Sequence, residues 1–206
     1  MASGDTKLSI CSDALIMLGE APLASFDSSD ASIVCDRLYE DIKVTTLAMY
    51  PWSFTLTKQK LTKGSTSPVN EYKNQFKLPS DVHRISGVKA VFNSEQSGAA
   101  PIQVGWEILG DVLITNQETI VIDYQRDVDE SKLPKYFVQL LKYQLAWHFA
   151  ETVTDQITKA DYWRTIALGT TQENNRGGFF RTASNIDGSS KQNEVIQDFS
   201  LIQVRR

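Results

Sequence analysis

The chain has 206 residues, 41% hydrophobic, 22% charged and 10% aromatic, with a formal charge of −4. That balance excludes collagen-like, coiled-coil and wholly disordered classes, and no apolar run approaches the ~18 residues a membrane-spanning helix needs. Residues 1–50 hold three basic against eight acidic groups, and no basic stripe is dense enough for tight DNA binding.

In chain order, Leu8, Cys11, Ala14, Leu15 and Leu18 recur at helical spacing and predict a helix over 6–19, stopped by Gly19 and Pro22. Ser28, Ser29 and Asp30 offer caps for a second helix over 29–50, ended by Pro51. Its expected apolar face is Ala31, Val34, Leu38, Ile42, Thr45 and Met49, with Asp36, Glu40 and Lys43 opposite. Trp52, Phe54 and Leu56 then alternate with polar residues, which predicts a strand. Short strands follow at 76–78, 84–92, 102–109, 112–115 and 119–124. The last three read as a meander with turns at Gly110-Asp111 and Asn116-Gln117. Residues 134–152 and 155–172 return to helix, the first behind Pro134. Residues 173–194 have linker composition, with Gly177-Gly178 and Gly188-Ser189-Ser190, and a short apolar alternation follows.

This order predicts an α+β fold. Residues 1–51 and 134–175 make a helical bundle of two N-terminal and two C-terminal helices. Residues 52–133 are an inserted, small antiparallel β-domain, and residues 176–206 an extended C-terminal arm. The arm is expected to dock onto a partner through Phe179, Phe180, Arg181, Phe199, Leu201, Ile202, Val204, Arg205 and Arg206.

Reactive chemistry is sparse. No catalytic, metal-binding or cofactor-binding residue is assigned, and no cofactor is expected. His83 and His148 lie outside any metal-ligand spacing. His148, between Trp147 and Phe149, reads as a packed or partly buried structural residue, and His83 as a surface or loop anchor. Cys11 and Cys35 read as small core hydrophobes on neighbouring helices. Base stacking would want basic residues interleaved with the tryptophans, and Trp106 is followed by Glu107 instead, so core or subunit contact suits the four tryptophans better. Trp52, Phe54 and Trp106 are the subunit-interface candidates. No secretory leader is visible, and two cysteines cannot build a disulfide framework, so a reducing cytosolic setting is expected.

Three motifs occur in order: Ala14-Leu15-Ile16-Met17-Leu18-Gly19-Glu20-Ala21-Pro22, then Tyr50-Pro51-Trp52-Ser53-Phe54, then Phe76-Lys77-Leu78-Pro79-Ser80-Asp81 with Arg84 just after. With the helix from Pro134 to Ala150, they resemble the tail tubular protein A family, the head-to-tail adaptors of short-tailed bacteriophages. The resemblance covers roughly residues 6–170. It implies a helical bundle with a small β-domain and a non-enzymatic virion protein, made in the host cytoplasm and residing in the tail. It implies a homo-oligomeric ring of twelve copies between the portal protein and a tail nozzle of the tail tubular protein B type. A tail fibre is a further possible partner, and double-stranded DNA would pass through the lumen without specific binding. The acidic residues 1–50 would suit such a lumen, since phosphate binding by counterion release would brake ejection. Two alternatives stay open: an adaptor with peptidoglycan hydrolase activity, for which no residue here matches a motif, and a generic cytosolic interaction domain.

Overall fold

The computed structural model describes all residues except 1–3, 27, 28, 67, 69, 70, 84, 86, 94–102 and 190–206. Helix α1 spans Lys7–Leu18. Thr6 and Ser9 form a reciprocal capping box at its start, and Gly19 closes it with φ +85°, a left-handed conformation that glycine adopts without steric cost. Helix α2 spans Asp30–Ala48 behind the N-cap Ser29, α3 spans Lys135–Thr154 behind Pro134, and α4 spans Ile157–Leu168.

The inward stripe of α2 is Ser32, Cys35, Tyr39, Ile42 and Thr46, one position round from the expected face. Lys43 is therefore buried, not solvated as the sequence suggested. It is satisfied by Glu130 Oε1 at 2.8 Å, at the short 3-10 turn Glu130–Lys132. Burial pushes the Glu130 carboxyl up, but the hydrogen bond and charge of Lys43 help hold it below its ordinary value. Leu38 and Met49, displaced from the central stripe, are half-buried at its edge.

The largest departure lies in residues 176–189, expected as part of an extended arm. They contain a fifth helix, α5, Gly178–Ser189, which buries Phe180 and Ala183 in the bundle core. Gly177-Gly178 is a close packing point rather than a linker. Gly178 has φ +52°, and a Cβ there would lie 2.6 Å from Gly169 N and Ile166 O. Only glycine lets the start of α5 lie against the end of α4 this closely.

Among the described residues, the β-domain holds six strands: β1 Leu56–Leu61, β2 Asn74–Lys77, β3 Val88–Phe92, β4 Glu107–Leu109, β5 Val112–Thr115 and β6 Ile120–Gln125. They form two three-stranded antiparallel sheets, ordered β1-β6-β3 and β2-β5-β4. The predicted meander therefore breaks after its first hairpin. β4 and β5 pair through the Gly110 turn, but β5 and β6 belong to different sheets. The Asn116-Gln117 link is held to the start of β2 instead. Asn116 Oδ1 accepts from Lys73 N at 3.0 Å, and Asn74 Nδ2 donates to Gln117 O at 2.9 Å. Between the sheets lies a second core of Leu61, Phe76, Val91, Leu113, Ile120, Ile122 and Tyr124.

Candidate functional site

The joint between bundle and β-domain is built from the Pro51-Trp52-Ser53-Phe54 motif. Residues 52–55 form a turn, not the expected strand: Thr55 N donates to Trp52 O at 3.0 Å, and β1 starts only at Leu56. Trp52 is fully buried and meets Tyr50, Phe137 and Phe180 edge-on, with ring centroids 5.0, 5.3 and 6.1 Å away. Its Nε1 donates to Thr46 O, and Gln125 Nε2 donates to Leu47 O and Tyr50 O, so carbonyls at the end of α2 are satisfied from the β-domain side. Ser53 is tied to α5. The Asp187 carboxylate accepts from Ser53 N at 2.8 Å, Ser53 Oγ at 2.6 Å and Tyr136 Oη at 2.5 Å. Sequence reasoning missed Asp187, because its partners lie 134 and 51 residues away.

These contacts withdraw Trp52 from the expected interface, since it has no exposed surface, while Phe54 is half-buried against Phe137 at 5.2 Å. Phe179 and Phe180, expected on a docking arm, pack into that core, while Arg181 is exposed on α5. Phe199, Leu201, Ile202, Val204, Arg205 and Arg206 lie outside the described residues. Trp106 is half-buried against the β-domain core.

The rim of the β-domain is open. A groove of about 740 Å³ is lined by Lys77, Leu78, Pro79, Val82 and Ile108. Ile85 lies on its wall at 61% exposure, and Leu109, beside it in β4, is 52% exposed. His83, expected as a surface or loop anchor, is buried at this groove and takes the loop-anchoring place. Its Nδ1 accepts from Ile85 N at 3.4 Å, and Asp127 Oδ1 lies 3.7 Å from Nε2. Burial lowers its pKa more than Asp127 raises it, so the neutral imidazole is favoured. Tyr124, on the same strand pair, is pushed up to about 12 by burial and by donating to Asp81.

His148, expected to be packed, is exposed beside Trp147, its ring stacked at 4.2 Å. Asp30, Asp36, Glu40 and Asp41 form an exposed acidic row on α2. Cys11 and Cys35 are buried and unbridged, as expected of small core residues. Among the described residues, no group of three or more His, Cys, Asp or Glu is placed to hold a metal ion, and no helix is long and apolar enough to cross a membrane. Against known proteins, the chain matches no family model and no curated sequence.

Proposed function

We propose that this chain is a head-to-tail adaptor of the tail tubular protein A type, a structural and non-enzymatic component of a phage tail. Twelve copies form the ring, seated between portal and nozzle, with DNA passing through without specific binding. The observation that carries this reading is the place of the three motifs. Leu18-Gly19-Glu20 ends α1 in a left-handed cap. Pro51-Trp52-Ser53-Phe54 makes the joint between bundle and β-domain. Leu78-Pro79-Ser80-Asp81 leaves β2 along the exposed groove, where Asp81 accepts from Tyr124 Oη at 3.0 Å. Motifs shared with a family are expected at such joints, where few residues satisfy the geometry. Neighbouring copies then meet through the β-domain rim, at Ile85, Leu109 and the half-buried Trp106. Ring closure needs head-to-tail contacts of this heterologous kind. The test is the native mass of the complex formed on mixing the chain with its portal ring. A stoichiometric, closed assembly is the expected result, and a portal that binds no copies overturns the reading.

A further inference from the structure

Two hollows of the chain carry opposite charge around apolar side chains. The first lies between α2 and the β-domain, holds about 420 Å³, and is lined by Glu40, Asp41 and Val44 of α2 together with Ile85 and Asp127. Ile85 is exposed there, and so are Glu40, Asp41 and Asp127. An apolar side chain thus stands among three carboxylates. Lys43 also lines this wall, but it is buried against Glu130 at 2.8 Å. Arg37 is exposed one turn back along α2, outside the hollow.

The second hollow, about 370 Å³, lies on the β1-β6-β3 sheet. Pro51, Leu56 and Ala90 give it apolar lining, and the exposed Lys58 and Lys89 give it ammonium groups. Lys58 pairs with Asp123 at 2.8 Å on the same wall, so Lys89 leaves the wall net positive. A β-bulge puts Lys89 there. Val88 pairs with Tyr124 and Ala90 with Asp123, so the ladder skips Lys89. Regular alternation would send Lys89 and Ala90 to opposite faces of the sheet, yet both line the hollow.

Building on the ring of copies in the adaptor reading, we propose that the two hollows bind each other between copies. Ile85 of one copy, with Glu40, Asp41 and Asp127 around it, seats on Pro51, Leu56 and Ala90 of the next, against Lys58 and Lys89. Burial of the isoleucine supplies apolar area, and the charges set the register and reject like faces. The two hollows share no lining residue, so one copy can offer both at once. Because the two faces differ, copies joined this way meet head to tail rather than patch to identical patch.

The test uses the full-length chain, free and on its portal, with each variant first shown to keep its circular dichroism. Ile85→Cys and Ala90→Cys are made in separate chains and mixed under oxidising conditions. A disulfide between unlike chains is expected, and disulfides only between two Ile85→Cys chains overturn the proposal. Glu40→Lys with Asp41→Lys reverses one face, and Lys58→Glu with Lys89→Glu reverses the other. Each reversal alone should weaken association of copies by about a hundredfold in sedimentation. Mixing the two reversed chains, or joining both reversals in one chain, should restore it, since every contact again pairs opposite charges. Reversals that change nothing, or that fail to rescue each other, overturn the proposal, and the adaptor reading stands if the wild-type chain still assembles on the portal. A portal that binds no copies, with cross-link and rescue intact in the free chain, supports the contact and overturns the adaptor reading instead.

Discussion

The helical bundle and the β-domain bury their apolar residues in different ways. The bundle core runs continuously from Ile10 on α1 through Phe137, Leu141 and Phe149 on α3 to Phe180 on α5, with Trp52 as its aromatic hub. The β-domain core is seven buried residues between two short sheets, and it leaves a groove with Ile85 and Leu109 exposed beside it. The bundle has the larger closed core and the greater share of stability, yet it too exposes apolar side chains: Ile16, Ile33, Ile157, Tyr162 and Ile186 stand on its outer helix faces. The contrast between the regions is therefore one of core thickness, and the groove sets the β-domain rim apart.

The largest effect that tests this division comes from the C-terminal region. Ending the chain after Gly177 removes Phe180, Ala183 and the Asp187 carboxylate from the bundle. A buried Phe alone is worth about 3–5 kcal/mol, so this truncation is expected to lose the cooperative thermal transition. Ending it after Ser189 keeps α5 with Phe180, Ala183 and Asp187 in place, and the cooperative transition is expected to remain. Equal melting of the two truncations would remove α5 from the bundle.

Next come the tryptophans. Trp52→Ala opens the shared hub and should cost about 3–5 kcal/mol in chemical denaturation. Trp106→Ala removes a half-buried ring from the thinner core and should cost about 1–2 kcal/mol. A reversed order would show that the β-domain, not the bundle, dominates stability.

A smaller effect concerns pH. The His83 pKa is lowered in the folded state, so the unfolded chain binds its proton more readily. The stability from its neutral, buried form is complete above the ordinary value of 6.5 and is lost as pH falls from there through the folded pKa. Wild type should lose stability over that window relative to His83→Gln, as read from urea midpoints. Parallel pH profiles would mean that the imidazole is solvated.

The smallest expected stability change belongs to the rim. Leu109→Asp, at an exposed β4 position, should shift unfolding by no more than about 0.5 kcal/mol. It should nonetheless weaken association of the chain with itself on the portal, measured by sedimentation.

Much of the architecture was legible in the sequence wherever local rules decide it. Ser29 and Pro134 mark helix starts, and Gly19 and Pro51 mark ends, through capping and φ restrictions that need no tertiary partner. The inserted strands are legible as elements, but their partners are not. Whether β6 follows β5 in one sheet depends on Asn116 and Gln117 binding near β2, a contact between residues 43 apart. Helix α5 was hidden because Gly177-Gly178, Ser184 and Gly188-Ser189 give it linker composition. Its stability comes from burying Phe180 against Trp52 and from Asp187 reaching Ser53 and Tyr136. The face of α2 was misjudged by one residue because Lys43 counts as polar until Glu130 is brought beside it. The candidate site was the least legible part: three aromatic residues that look adhesive in sequence, Trp52, Phe54 and Phe180, satisfy one another inside the chain.

The division is tested most directly by hydrogen–deuterium exchange of the full chain, free and assembled on its portal. The account predicts that assembly slows exchange in the β4–β5 hairpin and around Ile85, while α5, already packed in the free chain, is unchanged up to Ser189. Protection gained across α5, with the β-domain rim unaffected, would contradict it.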